Sequence, residues 1–225
     1  MIDLQVNGFA GVDWNGDDWT PDDLRRACEE LQRAGCRGFL ATIITDDLPR
    51  MEARLGRLAK ARESDPLVKE LVLGLHVEGP FLSPEDGYRG AHPADAVLQA
   101  DGTAALRLLD AGGGLVRRFT LAPEMDATLE TVRRLAAEGV TVCAGHTQAS
   151  LDELQAACDA GLAAFTHLGN GCPALLPRHD NIVVRALSLA GRLRLGFIAD
   201  GVHIPPFALA AYLRAAGVEN AFVVS

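Results

Sequence analysis

The chain has 225 residues, 48% hydrophobic and 23% charged, which is enough for one sizeable core and suits a single α/β barrel. Its net charge of −9, with no block of like charge, argues against nucleic acid or an anionic membrane as the main partner. No apolar run is long enough to span a bilayer, Met1 leads straight into a strand-like pattern, and five scattered cysteines without a C-x-x-C pair read as reduced thiols; the expectation is a soluble, cytoplasmic protein.

In chain order, Ile2, Leu4 and Val6 alternate with Asp3, Gln5 and Asn7, which predicts a short first strand with Gln5 and Asn7 on one face. Thr20-Pro21-Asp22-Asp23 then supplies a cap, a proline for the first helical position and acids for the first turn of an amphipathic helix running to Ala34, with Gly35 or Gly38 as its stop. "GFLATII" reads as a buried strand, "LPRMEARLGRLAKARE" as a helix and "LVLGLHV" as a strand. A helix over residues 102–111, the strand "RRFTLA", the helix "TLETVRRLAAEG" and the strand "VTVCAG" follow. "SLDELQAACDAG" is a helix capped by Ser150, with Glu153 completing a capping box and Gly161 ending it. The strands "AAFTH", "RLGFIAD" and "AFVV" close the chain, with a helix before each of the last two. Eight short apolar strands alternating with helices predict parallel pairing. The expected fold is α/β, a (β/α)8 TIM-type barrel forming a single domain over residues 1–225. A doubly wound open sheet is the competing arrangement. The helix that would follow the eighth strand is lacking, so the barrel reads as incomplete at its C-terminus.

The polar residues cluster at the C-terminal strand ends, where such a barrel places its chemistry. Gln5 and Asn7 end the first strand, Glu78 the third, His146 the fifth and His167 the sixth, and Asp200 and His203 follow the seventh. Singly, each has a plainer role: Glu78 or His146 as a helix cap and His167 as a core histidine; His76 shares a strand face with Glu78 and is read as its support in preference to a core group. Jointly, one carboxylate and two imidazoles form a ligand set for zinc or ferrous iron that leaves a position for water. The Gly- and Pro-rich segment "PEDGYRGAHP" is a rim loop that either carries His92 over the site or leaves it in solvent. In "GNGCPALLPRHDN", Asn170 and the Gly171 N–H suit a polar ligand, and Arg178 suits either a phosphate or open surface.

Taken in order, "IDLQVNGFAGVD", "GLHVEGPFL" with "GAHP", "TLAPE", "AGHTQA", "THLGN" followed by Arg178, and "IADGVH" resemble the N-acetylglucosamine-6-phosphate deacetylase family of the amidohydrolase superfamily. The resemblance implies a barrel of that metal-dependent kind and one divalent metal, zinc or iron, on Glu78, His146 and His167. It also implies hydrolysis of the acetamide of a phosphorylated amino sugar. Gln5 and Asn7 stand where many superfamily members carry His-x-His for a second metal; neutral amides there imply one metal rather than two. His92 is implied to polarise the amide carbonyl, Asn170 and Gly171 to orient the sugar, and Arg178 and His203 to grip the phosphate, partly across a homodimer interface. Gly169-Asn170-Gly171-Cys172 departs from the family's aromatic-Asn-Ala-Met, which alters the sugar pocket. The family's small β-sandwich is lacking, so the chain reads as truncated at both ends. The catalytic aspartate is expected directly after Ser225, beyond the end of the chain. Two other readings follow: an inactive or partial barrel that binds metal and sugar phosphate, and another amidohydrolase such as an aminoacylase.

Overall fold

The computed structural model describes all 225 residues and opens with strand β1 (Ile2–Val6), a small hairpin of β2 (Gly8–Phe9) with β3 (Val12–Asp13), and helix α1 (Pro21–Arg33). Next come β4 (Gly38–Ile44), α2 (Leu48–Ser64), α3 (Pro66–Leu71), β5 (Val72–Glu78), α4 (Gly102–Ala111) and β6 (Val116–Leu121). The chain continues through α5 (Glu130–Ala137), β7 (Thr141–Ala144), α6 (Leu151–Ala160), β8 (Leu162–Phe165), α7 (Ile182–Ser188), β9 (Arg194–Ile198), α8 (Pro206–Ala216) and β10 (Ala221–Val224). The sequence pattern marks every barrel strand but not the β2–β3 hairpin, α3 or the three short 3-10 turns. The six-residue α3 has too few turns for a periodic signal, and its start is fixed by Asp65, whose carboxylate accepts from the N–H groups of Leu67 and Val68.

Eight strands form one sheet in the order β1-β4-β5-β6-β7-β8-β9-β10, and every ladder is parallel. This sequential order is that of a barrel, since a doubly wound sheet reverses direction at a switch point. The two ends of the sheet meet where the Ser225 N–H donates to the Asp3 carboxylate at 3.1 Å. Burial on both faces explains the unbroken apolar run of β4: helices cover the outside while Phe39, Leu75, Phe119 and Phe197, all fully buried, pack the core. The helices start where capping chemistry dictates. Thr20 with Asp23 and Ser150 with Glu153 both form reciprocal capping boxes, each worth about 1 kcal/mol.

One polar chain crosses the apolar interior. His76 Nε2 lies 2.7 Å from Thr120 Oγ1, which lies 2.7 Å from Thr166 Oγ1, and Arg118 Nη2 donates to the latter at 3.0 Å. Burial pushes the His76 imidazole down to about 3, so the ring is neutral. Both ring nitrogens meet threonine hydroxyls, of Thr42 and Thr120, and neither meets Glu78, so His76 is a satisfied core histidine and not the support for Glu78 that its strand position suggests. No helix is long and apolar enough to cross a membrane. All five cysteines are unpaired; Cys28, Cys36 and Cys143 are buried, and Cys158 and Cys172 are partly so.

Candidate metal centre and pocket

In-register parallel strands bring their C-terminal residues to one rim, with Ile44 opposite Glu78 and Glu78 opposite Thr120. The chain turns out of the barrel there, and His146 and His167 do so in the left-handed region, at φ of 50° and 33°. Such backbone strain on non-glycine residues concentrates at functional sites. The result is a pocket of about 380 Å³ over the barrel mouth, its floor formed by Glu78, His146 and His167 and its side by His92.

Glu78 is 2% exposed and central to the cluster. Its Oε1 lies 2.8 Å from His167 Nε2 and 3.4 Å from His146 Nε2. Burial alone would push this carboxyl up, but the His146 and His167 imidazoles beside it hold it well below the ordinary carboxylate range. Gln5 Nε2 donates to the other oxygen, Oε2, at 3.0 Å. The first-strand amide is therefore an orienting group for the carboxylate, which leaves Oε1 turned toward the imidazoles. Asn7 is exposed and lines the same pocket without touching Glu78.

Hydrogen-bond partners assign the imidazole tautomers. His146 Nδ1 donates to the Tyr88 carbonyl at 2.9 Å, so its Nε2 carries a lone pair. That lone pair faces the Glu78 carboxylate at 3.4 Å and His92 Nε2 at 3.2 Å. His92 Nδ1 lies 2.8 Å from Thr45 Oγ1, whose single hydroxyl proton goes to the Glu78 carbonyl at 3.2 Å, so Nδ1 is the donor and His92 Nε2 carries a lone pair as well. Burial pushes the His92 imidazole down to about 4, which keeps it neutral. His167 Nδ1 is buried with no partner at all. A lone pair directed at a carboxylate and an orphaned imidazole nitrogen beside it are the signature of a set waiting for a cation. Hard carboxylate and borderline imidazole donors suit a divalent metal. The donor atoms of Glu78, His92 and His146 all lie within 4.8 Å of one another, so the cluster is a candidate metal site.

The other sequence-derived residues divide. Asn170 and His203 line the pocket, and Asn170 Nδ2 donates to the His167 carbonyl at 3.3 Å. Gly171 is packed against the His146 ring, where an added Cβ would meet Nδ1 at 3.1 Å. His203 Nδ1 lies 2.7 Å from Asp200 Oδ2, and the backbone and side-chain hydrogen bonds of His203, with that of the Val202 N–H, pull the Asp200 carboxyl down to about 2. Arg178 is exposed on the loop between β8 and α7 and does not line the pocket. Several contributors carry no sequence signal of their own. Thr45 and the Tyr88 carbonyl set the imidazole tautomers, and the buried Asn15 holds the rim by donating to the Thr42 carbonyl and accepting from the Ile44 N–H. Only the polar residue in the apolar context of "WNG" hints at Asn15.

No family model matches the chain. Among curated proteins it is 35% identical over 225 residues to N-acetylgalactosamine-6-phosphate deacetylase from a Shewanella species, covering 100% of this chain and 55% of that protein. It is 32% identical to N-acetylglucosamine-6-phosphate deacetylase from Bacillus subtilis, covering 100% of this chain and 56% of that protein. A solved structure, an aspartate-to-alanine variant of N-acetyl-D-glucosamine-6-phosphate deacetylase from Mycobacterium smegmatis in complex with N-acetyl-D-glucosamine-6-phosphate, superposes with a TM-score of 0.87 at 30% identity, covering 100% of this chain and 56% of that one. The chain spans about half the length of the curated relatives it matches.

Proposed function

We propose that this chain, which belongs to the N-acetylglucosamine-6-phosphate deacetylase family, is the catalytic barrel of a metal-dependent enzyme that hydrolyses the acetamide of N-acetylglucosamine 6-phosphate to glucosamine 6-phosphate and acetate. The observation that carries this reading is the buried convergence of the Glu78 carboxylate with the imidazoles of His92, His146 and His167 in one pocket. Glu78, His146 and His167 would hold a single zinc or iron ion. A divalent metal there supplies Lewis acidity and a water of lowered pKa near neutral pH.

The chain's own residues do the rest. Gln5 keeps Glu78 Oε2 occupied so that Oε1 is presented. His92 lines the pocket beside His146 and is the group this reading assigns to polarising the carbonyl oxygen. Asn170 orients the sugar, Gly171 leaves room beside His146, and His203, paired with Asp200, meets the phosphate at the exposed side of the pocket. Arg178 is free of ion pairs on its loop and is the second phosphate ligand of this reading. Ser225 lines the pocket, which supports a general base supplied from the end of β10. Leu175, Val202 and Phe207 are 90%, 83% and 79% exposed on or next to the loops after β8 and β9, which supports a homodimer through that face. A cytoplasmic location completes the reading, since the substrate is a phosphorylated metabolite.

Acetate release tests it, measured on N-acetylglucosamine 6-phosphate, its galactosamine epimer and unphosphorylated N-acetylglucosamine, with zinc or ferrous iron added. Turnover confined to the phosphorylated sugars is expected, and their ratio reads the epimer preference. Equal rates with and without phosphate would sink the phosphate assignment and favour another amidohydrolase. Tight metal binding without turnover would leave only a binding barrel.

A further inference from the structure

Glu124 does not line the pocket, yet both of its carboxylate oxygens are committed to the two residues that follow His146. It stands in a short 3-10 turn (Pro123–Met125) after β6, part of the "TLAPE" segment. Oε2 accepts from the Thr147 hydroxyl and Oε1 accepts from the Gln148 N–H at 2.8 Å. Thr147 is fully buried, and its Oγ1 accepts in turn from the Ala149 N–H at 3.0 Å. On the other side, Arg185 Nη1 donates to the carbonyls of Gln148 and Ala149 at 3.2 and 3.0 Å. The segment so held begins at His146, whose φ of 50° is a conformation that L-residues keep only where their surroundings impose it. Upstream, the His146 carbonyl accepts from the Ser83 N–H at 2.9 Å. Downstream, the only side-chain acceptor for the N–H of Gln148 is Glu124.

We infer that Glu124 is a positioning residue whose two-oxygen clamp on Thr147 and Gln148 locks the left-handed turn at His146 and keeps His146 Nε2 aimed at Glu78. The inference rests on the reading of His146 as a metal ligand. A groove against α2 and the acidic loop around Asp13, Asp17 and Asp18 offer no comparable convergence on a functional group. Relaxing the turn swings the imidazole away from Oε1, so metal affinity falls even though no ligand atom is removed. An amide at this position keeps one acceptor for the Gln148 N–H and donates to Thr147 Oγ1, so glutamine preserves the clamp where alanine abolishes it.

The test is the zinc affinity of the purified full-length protein, by competition with a chromogenic chelator, together with the visible spectrum of its cobalt-substituted form. Glu124→Ala is expected to bind zinc about 10–100-fold more weakly, the range for a lost supporting contact, and to change the cobalt bands. Glu124→Gln is expected to restore most of the affinity and the original bands. Asp126→Ala is the control for general loosening, because Asp126 lies in the same loop, is buried and caps the Val132 N–H without touching residues 146–148. It should leave both readouts in place. Wild-type affinity and spectrum in Glu124→Ala would overturn the inference, as would equal weakening by Asp126→Ala. Should Glu124→Ala not fold, Thr147→Val removes one of the two bonds and is read the same way. A wild-type protein that binds no zinc or cobalt would instead overturn the metal reading itself, which separates the two failures.

Discussion

Replacing His167 with alanine is expected to weaken zinc binding far more than replacing His92, although Glu78, His92 and His146 form the tightest-set triple in the structure. The reason is the approach to the carboxylate. His92 is carried by the loop after β5, and its side-chain bonds run to Thr45 and His146 and not to Glu78. His167 Nε2 lies 2.8 Å from Glu78 Oε1, and no hydrogen bond at Nδ1 opposes the tautomer that frees Nε2. Zinc bound by four ligands is worth about 10–16 kcal/mol, so one ligand is worth about 2.5–4 kcal/mol and its loss costs about 10²–10³ in affinity. In the proposed reaction, loss of His92 removes the group that polarises the carbonyl and is expected to cost about 10²–10³ in kcat, with zinc affinity changed by less than about tenfold. Chelator competition gives the first quantity and initial rates of acetate release at saturating zinc give the second. Zinc affinity that collapses in His92→Ala but survives in His167→Ala would overturn this assignment and make His92 the ligand.

Other consequences are open to measurement. Arg178→Ala should raise KM for a phosphorylated sugar while leaving zinc affinity intact and stability within about 0.5 kcal/mol, as expected for an exposed side chain without partners; an unchanged KM would remove Arg178 from the phosphate site. Only the two partly buried thiols, Cys158 and Cys172, should react with a water-soluble disulfide reagent in the folded protein, since Cys28, Cys36 and Cys143 are buried and burial pushes the Cys28 thiol up to about 12. Fast labelling of a third thiol would contradict that burial. The Asp200 carboxyl, held down at about 2 by its bonds from His203 and Val202, contributes stability that is present above its ordinary value of 3.8 and is lost as pH falls toward 2. The difference in Tm between wild type and Asp200→Ala should therefore be present at pH 5 and shrink below pH 4. A difference that grows on acidification would reverse the sign of the linkage.

Much of the fold is legible because one physical cause repeats. A strand covered on both faces must be apolar throughout, so a polar residue closing such a run marks the point where the chain leaves the core. Glu78 after "LHV" and His146 after "VCAG" are legible in this way, and so is the common rim, since parallel pairing in register brings those ends together. The capping boxes at Thr20 and Ser150 are legible because their partners are three residues away. His76 shows the limit of the same logic: it shares a strand with Glu78, but whether it supports the carboxylate or fills the core depends on Thr42 and Thr120, which lie on neighbouring strands.

The supporting contacts of the site fall outside what local pattern can carry. Gln5 meets Glu78 across 73 positions, Thr45 meets His92 across 47, and Glu124 meets Thr147 across 23. In each case the sequence contains a polar residue with several possible partners, and only barrel closure decides among them. Gln5 is the instructive one. Its position at the end of the first strand suggests the remnant of a second metal site, whereas its side chain has a present task, since it occupies the one carboxylate oxygen that the imidazoles leave free. Gln5→Leu leaves Glu78 Oε2 buried without that donor, and the lost orientation should weaken zinc binding about 10–100-fold while β1, whose other bonds are to backbone and to Asp3, keeps its place. Chelator competition decides between the two accounts of this amide. A mere remnant predicts unchanged affinity in Gln5→Leu, and an orienting group predicts that the metal is lost first.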